Sequence, residues 1–381
     1  MTASPPPTPP SRPVRDDERR LHTINLPCEW LEDYRPGGCH PVHLGDSFKD
    51  GQYKVIRKLG DGSYSTVWLA RDLSNCKYVA MKILVSDISA STNEVQILRQ
   101  LNGIAPAQGA RHVTQLLDEF EHSGPNGIHK CLVFEPMGPS VNSMVEELPQ
   151  FNPRKWGMKV RYPPQMARSI LKQSLQGLEF LHGNGIAHGD FQPGNILFAL
   201  NNIDSKPEDV LRQREDVQAM SISDTVRRLD GKQDKWAPHY LCVGQPLVRF
   251  TSYAEDFKIK LSDMGGGSDF EDDDHILALT ERLGPLPDEL FKRWRTSSLY
   301  FTPERKLYNC QLGGVPQGKQ PLLLQQTSME DLFDQAGPEI DGEESRQVKA
   351  LIRRILQYDP TKRPSPTEIL EDPWMRKSGS L

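Results

Sequence analysis

The 381-residue sequence lacks any run of about 18 apolar residues, the shortest stretch that spans a bilayer as a helix. Its first twenty residues carry prolines and charges where a secretory signal would carry an apolar core. We therefore expect neither a membrane protein nor a membrane partner, and we expect the chain to work in the cytoplasm, the nucleus or both.

Paired cysteines and an excess of positive charge are absent too. The six cysteines are scattered without a C-x-x-C pair, so the sequence predicts reduced thiols rather than a zinc site or a disulfide framework. The chain has 46 Lys and Arg residues and 51 Asp and Glu residues, which gives a formal net charge of −5. Direct nucleic-acid binding usually needs a concentrated basic face, so it is not expected.

The chain divides into a tail and two regions of different periodicity. Residues 1–31 begin with a proline-rich stretch that has little to bury, and we expect this tail to be disordered. In residues 32–137, short runs rich in β-branched residues end at Gly, Asp, Asn or Ser, which predicts strands and turns around one helix. Residues 138–377 have helical periodicity instead.

This order predicts an α+β, two-lobed fold with a small β-rich lobe followed by a larger helical lobe. Residues 201–252 interrupt the second lobe as a polar, irregular insertion in which the sequence shows no clear core.

Two motifs in the β-rich region are suited to nucleotide phosphates. Residues 60–67 read GDGSYSTV between two predicted strands, and glycines let a hairpin backbone approach phosphate oxygens. Lys82 ends the run V-A-M-K, and Glu94 follows twelve positions later on a predicted helix. A lysine held by a carboxylate stays charged and can orient the α- and β-phosphates. Either motif alone is more easily explained as a turn or a surface lysine.

Two further motifs carry oxygen ligands. Residues 188–195 read HGDFQPGN, or H-x-D-x-x-x-x-N, in which Asp190 is placed to accept a hydroxyl proton and Asn195 to hold magnesium. Asp263 begins D-M-G directly after an apolar strand, where a carboxylate would bridge magnesium to phosphates. The four motifs in this order predict phosphoryl transfer, although each has an ordinary structural explanation by itself.

The ordered set resembles the protein kinase superfamily and, within its CMGC group, the SR-protein kinases. The similarity extends to residues 33–42 (DYRPGGCHPV), to residues 53–72 around the glycine hairpin, and to the hinge CLVFEPMG at 131–138, with Phe134 at the gatekeeper position. Residues 356–364 (LQYDPTKRP) resemble the C-terminal helix signature of kinases. The resemblance covers residues 32–377.

The resemblance implies a monomeric serine/threonine kinase that uses ATP and Mg²⁺ and acts on proteins, among them Arg/Ser-rich splicing factors. It implies that Asp190, Lys82 and Gln192 are the catalytic residues and that Asn195 and Asp263 are the metal ligands. It also implies a set of nucleotide-binding residues: Leu59, Gly60, Gly62, Ser63, Ser65, Val67, Ala80, Lys82, Glu94, Glu135, Met137, Asn195 and Asp263.

The sequence departs from the family in the H-x-D loop and after the D-x-G motif. Gln192 replaces a lysine, and losing such a donor costs about 3 kcal/mol of transition-state stabilisation by analogy with oxyanion-hole donors. Gly189 replaces an arginine, so control by a phosphorylated activation loop is not expected. Residues 272–287 (DDDHILALTERLGPLP) resemble the start of the helix G region of CMGC kinases. Asp272 follows Asp263 by only nine positions, which leaves no room for the activation loop, A-P-E anchor and D-x-W helix that should lie between them.

Thr302-Pro303-Glu304 does not serve as the anchor, because no D-x-W helix follows it. Arg363 therefore lacks the anchor glutamate with which it pairs in the family. The absent helix would bury apolar side chains with roughly 8–12 kcal/mol of stabilisation. Total domain stability is only about 5–15 kcal/mol, so we expect the second half to fold poorly. A skipped exon or a faulty gene model is the simplest account of the gap.

Two other interpretations of the motifs stay open. The chain is a pseudokinase if it binds ATP or a partner without transferring phosphate. HGDFQPGN also resembles the loop of aminoglycoside and choline kinases, small-molecule phosphotransferases without an activation segment, but those lack the glycine hairpin, V-A-M-K and the 358–364 signature. An acidic run either contacts basic substrates or is simply solvated; its members are Asp269, Glu271, Asp272, Asp273 and Asp274.

Overall fold

The molecule consists of two compact units, one of residues 1–180 with 191–265 and the other of 181–190 with 266–381. The two units do not follow the predicted lobe boundary at residue 137, because residues 138–180 and the insertion group with the β-rich region. The computed structural model describes residues 6–12, 14–104, 109–151, 153, 157–252, 256–264, 269–302, 304–305, 307, 327–338 and 340–376.

A six-stranded antiparallel sheet dominates the first unit, in the order β1-β2-β3-β4-β6-β5. The apolar runs predicted β2, β3, β4 and β6, but neither the two-residue strand β1 nor the edge strand β5. The β5 sequence LLDEFEHSG is largely charged or polar, as is common at sheet edges. The strands are β1 Ser47–Phe48, β2 Tyr53–Gly62, β3 Ser65–Asp72, β4 Lys77–Leu84, β5 Leu116–Gly124 and β6 Gly127–Phe134.

The helix predicted between strands packs on this sheet. Helices α1 (Ser86–Ser89) and α2 (Glu94–Asn102) follow β4. Val95 and Leu98 of α2 pack with Leu132 of β6, so the three-residue spacing of apolar side chains in α2 faces the core. This packing fixes the side of α2 that carries Glu94, which is also buried.

A smaller sheet of three strands continues the first unit, in the order β7-β8-β9. It consists of β7 (Met137–Ser140), β8 (Ile196–Ala199) and β9 (Ile259–Leu261). Helix α3 (Val141–Met144) follows β7, and α4 (Pro164–Gly183) begins at Pro164 as the sequence predicted.

The insertion has a core, contrary to the expectation from the sequence. It contains the short helix α5 (Glu208–Leu211) and is otherwise irregular, yet apolar side chains spread along it are buried. Leu211 and Leu247 pack with Ile56 and Leu69 of the sheet. These side chains follow no period of 2 or 3.6 residues, so periodicity does not predict their burial. The buried apolar residues of the insertion are Ile203, Leu211, Ile222, Trp236, Leu241, Cys242 and Leu247.

We expected the N-terminal tail to be disordered, but the part of it that the structure describes is packed. Leu21 and Leu31 are buried. The buried Glu32 carboxylate accepts the backbone N–H groups of Arg20 and Leu21, and the Arg20 guanidinium also pairs with Asp234 of the insertion. Ion pairs and backbone contacts hold this segment, and proline-rich composition does not reveal them. Residues 1–5 and 13 lie outside the described part.

The second unit is helical and has one aromatic-rich core. Its helices are α6 (Asp269–Leu283), α7 (Asp288–Arg293), α8 (Met329–Ala336), α9 (Gly342–Ile355), α10 (Pro366–Leu370) and α11 (Pro373–Arg376). Gly284 ends α6 with φ +95°, and Ser365 and Glu368 form the predicted capping box of α10. The core contains Leu277, Leu286, Trp294, Tyr300 and Phe301.

One residue of the acidic run has a structural role in this unit. Asp273 is buried and accepts hydrogen bonds from Trp294 Nε1 at 2.5 Å, Thr296 Oγ1 at 2.6 Å and Tyr300 OH at 3.0 Å. The suggestion that Asp273 contacts a basic substrate is therefore wrong. The other four side chains of the run lie outside the described side chains.

Two features of composition can be checked in the described residues. Cys28, Cys39, Cys76, Cys131 and Cys242 are all free thiols there. Within the same residues, no helix combines the length and the apolarity that crossing a bilayer requires.

Candidate active site

The glycine hairpin joins β2 to β3. Its ladder runs to Gly62 opposite Ser65, and the register shifts between Lys58 and Gly60. A Cβ atom on Gly60 or Gly62 would meet no heavy atom within 4 Å, so packing does not demand glycine at either position. The open space beside the backbone is what a phosphate needs to approach the hairpin.

Three charged side chains meet below the hairpin. Lys82 of β4 places Nζ 3.0 Å from Glu94 Oε1, 2.9 Å from Glu94 Oε2 and 3.0 Å from Asp263 Oδ1. Burial lowers the pKa of Lys82, but the two carboxylates outweigh it and raise that pKa above its usual value. Burial likewise raises the pKa of Glu94, and Lys82 opposes that rise. Lys82 therefore keeps its positive charge at neutral pH.

Asp263 has an unusual backbone. Its φ is 62°, in the left-handed region that only glycine, asparagine and aspartate enter with ease. The residue lies two positions after the last residue of β9, Leu261, and its neighbour Met264 is buried. The conformation directs the half-exposed carboxylate to Lys82. Such strain is commonly found at functional sites. The motif D-M-G indicated a metal ligand but not this conformation.

A cavity of about 550 Å³ contains these groups, within the size range of small-molecule sites. Every predicted nucleotide-binding residue except Ser63, which lies in the hairpin turn, lines it. The gatekeeper Phe134 lines it too. Sequence reasoning missed other lining residues; Ser140 and Ser143 follow the hinge closely enough to have been found, whereas nothing local signals Pro246 of the insertion. The missed residues include Asp61, Thr114, Ser140, Ser143, Leu197, Pro246 and Ser262.

The H-x-D loop is shared between the two units. Asp190 ends the segment Leu181–Asp190 of the second unit and is half-buried, whereas Gln192 and Asn195 belong to the first. The backbone N–H of Asn195 donates to the carbonyl of Gln192, and the carbonyl of Asn195 accepts from the N–H and the hydroxyl of Ser262. The structure thus brings Asn195 to the cavity with Lys82 and Asp263, whereas Asp190 is not among the described residues that line this cavity.

The predicted metal ligands fit magnesium. Asn195 and Asp263 line one cavity with an amide oxygen and a carboxylate, the hard oxygen donors that Mg²⁺ prefers. Mg²⁺ usually takes one or two carboxylates and completes its shell with water and substrate phosphates. In the described residues no group of three or more His, Cys, Asp or Glu side chains is arranged to hold a metal.

Comparison with known proteins identifies the class. Residues 53–209 match the family model of the protein kinase domain. The crystal structure of the kinase domain PF14_0431 superposes with a TM-score of 0.50 at 19% identity, covering 88% of this chain and 98% of that one. Residues 53–209 are thus similar to a protein kinase domain, and the two-lobed α+β fold predicted from the sequence is confirmed.

Two curated relatives indicate which group of protein kinases the chain resembles. SKY1 of Saccharomyces cerevisiae, a serine/threonine-protein kinase, is 35% identical over 224 residues, which are 55% of this chain and 29% of that protein. Human SRSF protein kinase 3 is 36% identical over 179 residues, 45% of this chain and 29% of that protein. The resemblance to SR-protein kinases is confirmed by these homologues, although the chain spans only about three tenths of their length.

A third relative aligns along the whole chain. A serine/threonine protein kinase of Aspergillus fumigatus is 26% identical over an alignment of 406 positions, which covers 97% of this chain and 96% of the relative.

Proposed function

We propose that this chain binds Mg·ATP in the cavity and transfers the γ-phosphoryl group to serine or threonine hydroxyls of proteins. The observation that carries the proposal is the contact of the Lys82 ammonium with both oxygens of Glu94 and with Asp263, in a cavity roofed by the glycine hairpin. A fixed cation beside a metal-binding carboxylate is what positioning of ATP phosphates requires.

The remaining residues take roles from their motifs. Asp190 accepts the proton of the attacking hydroxyl, whose oxygen bonds to the γ-phosphorus as the bond to the β–γ bridging oxygen breaks. Asn195 and Asp263 would hold Mg²⁺, which would neutralise charge on the phosphates. Gln192 supplies an amide donor where a lysine would supply a charge.

The substrate class is also a proposal. The name of SRSF protein kinase 3 and the family resemblance favour proteins with Arg/Ser-rich segments as the substrates. We propose that the chain acts on them as a monomer, in the cytoplasm, the nucleus or both. The test offers radiolabelled ATP and an Arg/Ser-repeat peptide to the full chain, with an Arg/Ala peptide as control. We expect label on the serine peptide alone, and a loss of about 10²- to 10⁴-fold in Asp190→Asn.

Lys82→Met should reduce transfer as strongly, while Lys130→Met, a strand lysine paired with carboxylates outside the cavity, should not. ATP binding without transfer would overturn the proposal in favour of a pseudokinase. Transfer to choline or an aminoglycoside alone would indicate a small-molecule phosphotransferase.

We further infer that a segment is missing from this chain between D-M-G and α6. Helix α6 begins at Asp269, so the interval after Asp263 has no length for an activation loop and a D-x-W helix. Sequencing the transcript across the codons for residues 265–270 tests this inference. Several tens of additional codons there would show that the gene encodes a longer kinase, and a matching transcript would leave the transfer assay to decide.

A further inference from the structure

The outer edge of β2 carries the base of the glycine hairpin and lacks a strand partner over most of its length. Strand β1 pairs with β2 only at Tyr53 and Lys54, and no other described strand lies on that side. Backbone groups on an open edge need partners from elsewhere. Between Ile56 and Gly60 those partners come from the insertion.

Two glutamines of the insertion supply the hydrogen bonds. The carbonyl of Ile56 accepts the N–H of Gln213, and the N–H of Lys58 donates to Gln213 Oε1, both at 2.9 Å. The carbonyl of Lys58 accepts the N–H of Gln245 at 2.9 Å. The insertion therefore continues the sheet at the point where β2 enters the hairpin.

The glutamine side chains also fasten the insertion to itself. Gln213 is buried, and its Nε2 donates to the carbonyls of Ser221 and Val243 at 2.8 and 2.9 Å. Gln245 Nε2 donates to Ser221 Oγ at 2.9 Å. Because Leu247 is buried against the sheet, the tract of residues 243–247 is fixed at both ends.

This tract reaches the nucleotide cavity. A Cβ atom on Gly244 would lie 3.3 Å from Gly60 Cα and 3.6 Å from the carbonyl oxygen of Leu59, so the two backbones are in contact. Pro246 lines the cavity together with Leu59 and Gly60. The tract thus supports the hairpin backbone and forms part of the cavity wall.

A buried lysine fixes the hairpin base from within. Lys58 is fully buried, and its Nζ pairs with Glu29 of the N-terminal segment and, at 2.9 Å, with Asp61 of the hairpin. The hairpin base is therefore held by side chains from both segments that the sequence suggested were unstructured.

We propose that residues 243–247 and Gln213 are positioning residues for ATP, which hold the glycine hairpin in place over the bound phosphates. This inference rests on the proposed function. A hairpin that is already ordered loses less conformational entropy when the nucleotide binds, so the insertion raises ATP affinity without needing to touch the phosphates.

The first test adds one methyl group next to the backbone of the hairpin. Gly244→Ala puts a Cβ against the Gly60 backbone, whereas Gly342→Ala, the matched control, adds a Cβ in open space. We expect Gly244→Ala to weaken Mg·ATP binding by about three- to tenfold in a fluorescent-nucleotide titration, with the melting temperature nearly unchanged, and the control to bind like the wild type. Equal affinity in both variants would overturn the proposal.

A second test follows the support itself, without nucleotide. Gln245→Ala and Ser221→Ala each remove the hydrogen bond from Gln245 Nε2 to Ser221 Oγ. Each variant should therefore speed hydrogen exchange at the amides of residues 58–62. The double variant should exchange little faster than either single variant, because both substitutions remove the same bond. Unchanged exchange in both variants and in Gly244→Ala would overturn the proposal. Failure of the wild type to bind Mg·ATP would instead reject the proposed function, because the exchange experiment does not depend on ATP.

Discussion

The Lys82 ammonium lies within 3.0 Å of both carboxylate oxygens of Glu94, which joins the central strand β4 to helix α2 through a buried ion pair. Asp263 adds a third contact from the end of β9. A lysine between two carboxylates keeps its charge but needs both to keep its position. Each carboxylate can therefore be tested by what its neutral isostere does to nucleotide binding.

Glu94→Gln should weaken Mg·ATP binding by about tenfold, because Lys82 loses a buried charge partner and becomes free to reorient towards Asp263. Isothermal titration calorimetry of the purified chain measures the effect. Glu119→Gln is the matched control, since Glu119 of β5 pairs with Arg99 of α2 and Lys130 of β6 but does not line the cavity. An affinity equal to that of the wild type would show that the pair is only structural.

The contact between Lys82 and Glu94 was accessible from the sequence, and the support of the hairpin was not. A lysine at the end of a strand and a glutamate at the start of the following helix are local signals in a known order. Gln213 and Gln245, by contrast, lie on irregular chain far from β2 in sequence, and their hydrogen bonds leave no periodic signal. For the same reason Asp273 looked like part of a solvated acidic run until its three donors were seen.

Gln192→Lys should accelerate phosphoryl transfer if the chain is an active kinase. Restoring a charged donor where kinases carry one should regain up to about 3 kcal/mol of transition-state stabilisation, or roughly a hundredfold in kcat. Gln192→Met controls for the change of shape without adding charge. Steady-state kinetics on the Arg/Ser peptide measure the gain, and a lysine variant no faster than the methionine variant would contradict the prediction.

The first unit should lose stability as the pH falls from 7 to 5, because of a histidine cluster in its core. The His40 ring lies 4.6 Å from that of His122 and 5.0 Å from that of His129, between centroids. Burial first, and then the two neighbouring histidines, lower the pKa of His40 to about 3, while Asp46 opposes them weakly and His43 adds slightly. Burial likewise lowers the pKa of His122 and His129.

The sign of the effect follows from the unfolded chain, where each histidine titrates near 6.5. A folded-state pKa below that value gives stability that is present above pH 6.5 and is lost as the pH falls, since only the unfolded chain takes up the proton. His40 alone should contribute a loss of about 2 kcal/mol between pH 7 and 5. Thermal melts of wild type and His40→Phe measure it.

The phenylalanine variant should lose less stability on acidification, because His40 Nδ1 has no hydrogen-bond partner in the described structure and the ring already packs edge-on against Phe48. His182→Gln, which changes an exposed histidine at the end of α4, should follow the wild type. Parallel pH dependence in all three proteins would rule out the cluster as the cause.

Unfolding in urea should occur in two steps, with the second unit melting first. The interval between Asp263 and α6 is too short for the central helix of a kinase lobe, and the described core of this unit depends on one aromatic cluster around Trp294 and Tyr300. Asp273→Ala should lower the stability of this unit by about 3 kcal/mol, because three donors lose their shared buried acceptor. Hydrogen exchange at increasing urea concentration follows α6 and β3 separately.

The variant should move the transition of α6 and leave that of β3 in place, which assigns the first step to the second unit. Asp288→Ala, which removes an exposed partner of Arg305 in the same unit, should shift neither transition by more than about 0.5 kcal/mol. One cooperative transition that includes both α6 and β3, and moves as a whole in Asp273→Ala, would show that the chain folds as a single stable domain despite the short interval between Asp263 and α6.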